Sequence, residues 1–226
     1  MQTEPAQPAA VARYRETTRA ERFPERYSGP RHIALTTALS AAIIGVALSQ
    51  VSSPRPAEWA VIPATFLVSN LGEYLGHRGP MHHRTAGLNK VFQRHTGAHH
   101  RFFTRDAMHY ASSRDFFMVL FPPVLQIFFL GGLGAPLAGL VFLLSTANAG
   151  WLFVATVGAY YYLYEILHFC HHLPTRGWMG AIPLLGRLRR HHALHHDPRV
   201  MLRANFNITF PICDLIFGTM HRGDPP

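Results

Sequence analysis

The chain is short of cysteine, of acidic residues and, over two long stretches, of charge of any kind. Two cysteines in 226 residues, Cys170 and Cys213, build no disulfide framework, and both are read as reduced thiols. Lys and Arg number 21 against 12 Asp and Glu, a net charge of +9 carried almost entirely by arginine. No nucleic-acid-binding motif accompanies it, and the arginines sit beside apolar runs. The positive charge is therefore read as membrane orientation and attraction to anionic lipid, with no nucleic acid as partner. The opening MQTEPAQPAAVARYRETTR lacks an apolar core, so no cleavable signal peptide is expected. H-E-x-x-H, the usual mark of a zinc hydrolase, is absent.

The missing charge locates the spans. From Ile33 to Gly72 the only charged residues are Arg55 and Glu58, and from Phe116 to Leu167 only Glu165. Each stretch can cross a bilayer twice at roughly 20 residues per helix. Spans are expected near 33–51, 58–77, 116–133 and 149–170. Ser52-Ser-Pro-Arg-Pro56 and Gly131-Gly-Leu-Gly-Ala-Pro136 act as breakers. Asn148-Ala-Gly150 either splits the run from Leu137 to Leu167 or lies within one long helix. Residues 1–31, with four prolines and six arginines, are expected as a loosely ordered basic lead-in, a basic surface helix being the alternative.

The expected fold is all-α and integral to the membrane. About four transmembrane helices form two hairpins within one domain, 32–226, under a histidine-rich helical cap of 78–114 and 171–226. Two hairpins put residues 1–31, 78–114 and 169–226, and with them 20 of the 21 basic residues, on one face. By the positive-inside rule that face is cytoplasmic. The chain is thus expected to be a multi-pass protein, of a bacterial inner membrane, with both termini in the cytoplasm.

What the sequence has in abundance is histidine. Thirteen of 16 fall into four clusters: His77-Arg-Gly-Pro-Met-His82-His83, His95-Thr-Gly-Ala-His99-His100, His168-Phe-Cys-His171-His172 and His191-His192-Ala-Leu-His195-His196. Neutral imidazole ligates iron, zinc, copper or nickel. One zinc takes about four ligands, or three and a water, so the supply suffices for two metals. On a helix Glu73 and His77 share a face, as do Glu165, His168 and His172. Glu73 and Glu165 are the candidate catalytic carboxylates, receiving the second ring N–H of a ligand or ligating directly. The neighbours His99-His100 and His195-His196 point about 100° apart on a helix and can serve two metals. The candidate ligands are His77, His82, His95, His99, His100, His168, His172, His192, His195 and His196. His83, His171 and His191 each adjoin a better-placed histidine. His32, His109 and His221 stand alone, as interfacial or surface residues.

With these boxes the chain resembles the fatty acid hydroxylase/sterol desaturase superfamily of integral membrane oxygenases, over roughly residues 70–219. Glu73-Tyr-Leu-Gly-His77-Arg with His82 looks like a first box, H-x4-H at a span exit. Thr96-Gly-Ala-His99-His100 sits where H-x2-HH is expected. His168 and His172 match H-x3-H behind an acidic Glu165, and His192-Ala-Leu-His195-His196 matches a final H-x2-HH. Asn205-Phe and Asp214-Leu-Ile-Phe-Gly-Thr219 look like the closing N-[FY]-G … W-D-x-L-F-G-T. Phe121-Pro-Pro123 is similar to the fatty acid 2-hydroxylase branch. Asn207 and Cys213 depart from the closing motif's glycine and tryptophan, and Thr96 occupies the leading histidine position of the second box. Either His95, one residue earlier, takes over through a shifted helix phase, which is the expectation, or the site has one ligand fewer.

The resemblance implies a non-haem centre of two iron ions, replaceable by zinc in a purified sample. That centre would use O2 to attack an unactivated C–H bond of a lipid acyl chain. Sterol, carotenoid or sphingolipid substrates remain open, as does desaturation. With no cytochrome-b5-like haem segment expected in 226 residues, electrons would come from a separate donor, ferredoxin-like or cytochrome-b5-like. A metal transporter would carry ionisable groups at mid-span, and the runs 38–47 and 124–130 carry none. A membrane zinc hydrolase would need only about three ligands and a base.

Overall fold

The computed structural model of the chain describes residues 8–174 and 182–223. Residues 1–7 of the expected lead-in and 175–181 and 224–226 of the expected cap lie outside the described residues. Among the described residues there is no β-strand. The longer helices are α1 (Ala9–Arg22), α2 (Gly29–Ser49), α3 (Val61–Gly76), α4 (Asn89–Arg94), α5 (Ala135–Leu144), α6 (Ala147–His171) and α7 (Pro183–His195).

The lead-in differs from the loose segment expected. Between Pro8 and Pro24 lies AAVARYRETTRAER, ten of whose 14 residues are the good helix formers Ala, Arg and Glu, and it winds into α1. Arg19 and Arg22 in the last turn complement the helix dipole. Phe23, forced out of the helical region by the proline after it, is extended at φ −84°, ψ 125°. Arg15 and Thr18 turn inward.

The run from Leu137 to Leu167 breaks just ahead of Asn148. Thr146 Oγ1 accepts the Ala149 amide at 3.2 Å as an N-cap, and the 25-residue α6 begins at Ala147. At 1.5 Å per residue α6 is about 37 Å long, enough to cross a hydrocarbon core of about 30 Å. Two stretches are long and apolar enough to count as membrane spans by length and composition, Gly29–Ser49 and Ser113–Leu144. α3, with 16 residues after the short turn Pro56–Ala60, falls below that length.

The chain divides into two compact units, Pro30–Leu71 with Leu120–Ile166, and Met1–Gly29 with Gly72–Val119 and Leu167–Pro226. In the first, polar side chains pair inward. Thr37 meets the Tyr162 hydroxyl at 3.1 Å, Asn70 donates to the Tyr160 hydroxyl at 3.0 Å, and Gln126 donates to Ser40 at 3.1 Å. The same unit turns large apolar side chains outward, Ile127 at 70%, Leu143 at 78% and Leu144 at 81% exposure. Polar groups paired inside and leucines outside is the arrangement a lipid solvent selects. The second unit has an aromatic core, Phe23, Phe102, Phe103, Met118 and Val119, with a smaller cluster of Tyr74, Phe206 and Cys213. It also holds all four histidine boxes.

Candidate metal centre

Two departures from α-helical winding bring the first two boxes together. α3 runs into a wider turn over His77–Met81, bent at Gly79 and Pro80, and His82 comes back beside His77 with ring centroids 4.8 Å apart. A second five-residue turn, His95–His99, follows α4. On an α-helix His95 and His100 would point about 140° apart. The wider π-type winding brings positions five apart onto one face, and their Nε2 atoms lie 3.1 Å apart. The helix phase therefore shifts at the second box, and His95 stands over His100 where Thr96 would not.

Nine histidines form two buried sets. His77, His82, His95, His100 and His195 make one, and His99, His172, His192 and His196 the other, with the candidate ligand atoms of each set within 4.8 Å of one another. Each adjacent pair is divided between the sets, His99 from His100 and His195 from His196. The sets adjoin, since the His100 and His196 rings stack at 4.2 Å. His168, outside both sets as defined, has its Nε2 3.3 Å from that of His99.

The tautomers decide what these rings can hold. Nδ1 of His99 donates to Met118 O at 2.8 Å, His172 to Met108 O at 2.8 Å, His195 to Ala204 O at 2.9 Å and His196 to Phe103 O at 2.6 Å. Nδ1 of His77 donates likewise to Phe206 O. A carbonyl only accepts, so each of these rings carries its proton on Nδ1 and presents a bare Nε2. Thr96 completes the pattern. Its hydroxyl proton goes to Met81 O at 2.7 Å, so its oxygen accepts the Nδ1–H of His82 at 3.0 Å.

The Nε2 lone pairs then face one another. His82 Nε2 lies 3.1 Å from that of His77 and 2.9 Å from that of His195, and neither contact has a proton to share. Such an arrangement is repulsive unless a cation stands among them. Ligands about 2.1 Å from one metal and at right angles are separated by about 3.0 Å. The donor set thus fits a metal ion, and the second set, with His192 at 3.2 Å from His172 and 3.1 Å from His196, fits another. Burial holds the rings neutral, as ligands must be. It lowers His99 to about 3, and lowers His82, His95, His100, His192, His195 and His196 well below the usual imidazole value, with repulsion between neighbouring histidines adding to it.

Residues 62–219 match the fatty acid hydroxylase family. The chain belongs to that family. Among solved structures it is similar to "Full length scs7p (only hydroxylase domain visible)", with a TM-score of 0.58 and 22% identity over 85% of this chain and 66% of that one. At that identity the likeness speaks to the fold. Comparison with curated proteins gave no match.

Within this hydroxylase-family chain the two carboxylates have partners the motif did not show. Glu73 accepts the backbone amides of Ile208 and Thr209, the second at 3.0 Å, and the Thr209 hydroxyl at 2.6 Å. Glu165 accepts the Phe121 amide at 3.2 Å and the Tyr161 hydroxyl at 2.8 Å. The ring N–H groups of five ligand candidates, His77, His99, His172, His195 and His196, go to backbone carbonyls. Of the three histidines beside better-placed ones, His83 is exposed, His171 donates to Ile208 O at 3.0 Å, and His191 lies 3.2 Å from Asp214. His109 accepts from Arg189 at 3.1 Å, and His32 donates to Phe121 O at 3.0 Å.

Asp214 of the closing motif is a residue whose role the sequence did not reveal. Its carboxylate takes the amides of Phe206 at 3.0 Å and Asn207 at 2.8 Å and the Thr219 hydroxyl at 2.7 Å. It thereby holds the loop whose Ala204 and Phe206 carbonyls orient His195 and His77. Asp214→Asn should weaken metal binding at the first set about 10- to 100-fold, as loss of an orienting partner does, and leave the second unchanged. A chelator-competition titration measures both constants, and equal weakening would show that Asp214 acts on the fold alone.

Proposed function

We propose that this chain hydroxylates a lipid acyl chain, using O2, electrons from a separate donor protein and two iron ions. The observation that carries the reading is the pair of converging imidazole sets inside a segment matched by the fatty acid hydroxylase family. His77, His82, His95, His100 and His195 would hold one ion, and His99, His172, His192 and His196, with His168 beside them, the other. Bound there, iron would supply the redox chemistry that activates O2.

The chain's own residues do the rest. The carbonyls of Phe206, Ala204, Phe103, Met108 and Met118 and the hydroxyl of Thr96 hold the proton of His77, His195, His196, His172, His99 and His82 on Nδ1 and keep those Nε2 atoms aimed inward. Burial of the ligand rings, most of them at 2% exposure or less, keeps bulk water away from the ions. Glu73 fixes the 208–209 turn, and Glu165 fixes the backbone at Phe121 just before Pro122 and Pro123. In the membrane we read the apolar stretches as four spans in two hairpins, with the histidine sets and both termini on the cytoplasmic side.

Purified chain, loaded with iron and given reductant and a fatty acyl lipid under ¹⁸O2, should yield a hydroxylated product carrying the label. Label from water instead, or turnover without O2, would overturn the proposal. A product with a double bond and no hydroxyl would move the chain to desaturation.

A further inference from the structure

Outside the family-matched residues 62–219, the helix α1 reaches the 102–109 loop behind the second histidine set through Arg15. Arg15 is 4% exposed and spends its guanidinium on three backbone carbonyls. Nε donates to Phe102 O at 2.7 Å, Nη2 to Ala107 O at 2.6 Å and Nη1 to His109 O at 2.9 Å. The carbonyls between them in the chain serve the metal site: Phe103 O orients His196 and Met108 O orients His172. Arg15 therefore ties down both ends of the 102–109 loop whose intervening carbonyls set two ligand tautomers. The first set draws on other carbonyls, Phe206 O and Ala204 O, held by Asp214 and Glu73.

Three further contacts seat α1 in this place. Arg19 forms a two-pronged ion pair with the buried Asp115, both contacts at 2.8 Å, and Asp115 also accepts the Ala111 amide at 2.8 Å. Tyr14 donates to Gly97 O at 3.2 Å. The Arg15 guanidinium stands over the rings of Phe102 and Phe103 at 5.0 and 5.1 Å. Burial lowers Arg15 to about 10, the nearby Asp115 opposing it, so the group stays charged at neutral pH. Three of the five N–H donors of this charged fork meet carbonyls, and losing it takes a charged donor from one buried carbonyl, Phe102 O, and from two half-buried ones, Ala107 O and His109 O.

We propose that Arg15 is a positioning residue for the second metal ion alone, making the N-terminal helix part of the metal centre and selective for the set formed by His99, His172, His192 and His196. This rests on the reading that both sets hold metal. The test uses the full chain in two backgrounds that isolate the sites: His100→Ala, which leaves the second set, and His196→Ala, which leaves the first. In each, the affinity for added metal is measured by competition with a chelator, with and without Arg15→Met, a change that keeps the length of the side chain and removes its donors.

Arg15→Met should weaken binding about 10- to 100-fold in the His100→Ala background and leave the His196→Ala background unchanged. Arg15→Lys, which keeps the charge and fewer donors, should fall between Arg15→Met and wild type; it carries the test if Arg15→Met does not fold. Arg13→Ala, on the exposed face of the same helix, should change neither constant. Unchanged second-set binding, or equal weakening at both sets, overturns the proposal. A wild-type chain that binds no metal overturns the reading beneath it as well, and so distinguishes the two failures.

Discussion

His195→Ala and His196→Ala should strip different metals from the same protein. The two side chains are neighbours in sequence, but His195 Nε2 faces His82 at 2.9 Å in the first set and His196 Nε2 faces His192 at 3.1 Å in the second. Each variant should fall from about two metal equivalents to about one. Paired with Asp214→Asn, which weakens the first set, His196→Ala should lose nearly all metal, whereas His195→Ala should lose little more than it does alone. His95→Ala should behave as His195→Ala does, because the wide turn at His95–His99 delivers His95 to the first set, with its Nε2 2.8 Å from that of His77. All three should lower hydroxylation by more than about 100-fold, the upper end of the loss from removing only an orienting partner. His83→Ala, at an exposed position, should alter neither metal content nor turnover. Elemental analysis reads the metal content, and an assay of hydroxylated product reads the turnover. Retention of two equivalents by His95→Ala would mean that the first set closes with four imidazoles.

How much of this was legible in the sequence depends on the range of the interaction. Spacing alone brought out the ligand candidates, because a box of histidines three to five residues apart is a local object and burial of so many imidazoles has few other uses. The choice between His95 and Thr96 was posed by the sequence and turned on helix phase, which one inserted residue per turn changes and composition does not encode. The carbonyls that orient the rings could not be read at all. Every residue has one, and which one meets His99 or His172 depends on contacts 19 and 64 positions away in the chain. Glu73 and Glu165 stood out as lone carboxylates near span ends, but the groups they hold, the 208–209 turn and the Phe121 amide, are distant in sequence. The N-terminal segment was read from its prolines and arginines as loose. Its order comes from Arg15 and Arg19 finding carbonyls and a carboxylate more than 80 residues on. Of the four apolar spans expected from composition, two stretches, Gly29–Ser49 and Ser113–Leu144, are long and apolar enough to count as spans, while α3, after its short turn, is 16 residues long.

Stripped of metal, the protein should come apart in mild acid. His82, His95, His99, His100, His192, His195 and His196 all have folded-state values depressed below 6.5, burial being the first cause in each. The unfolded chain therefore binds more protons than the folded one once the pH drops below 6.5, and each such ring costs up to about 1.4 kcal/mol of stability per pH unit. The stabilisation is fully present above 6.5 and is lost as the pH falls towards the depressed values. Seven rings acting together would remove at most about 10 kcal/mol per unit, comparable with the whole stability of a typical domain, about 5–15 kcal/mol. The chelator-treated protein should thus hold a constant melting temperature between pH 8.5 and 7 and lose its histidine-bearing unit between about pH 6.5 and 5. Bound metal competes with those protons for the same Nε2 lone pairs, so the loaded protein should withstand a lower pH. His100→Asn, which deletes one suppressed proton site, should make the acid slope shallower by about one proton. Thermal scans in detergent across this pH range, with and without metal, test the sign directly. A melting temperature of the stripped protein that stays flat down to pH 5 would mean that water reaches the rings, and with it the dry, neutral donor set on which the metal centre depends would be lost.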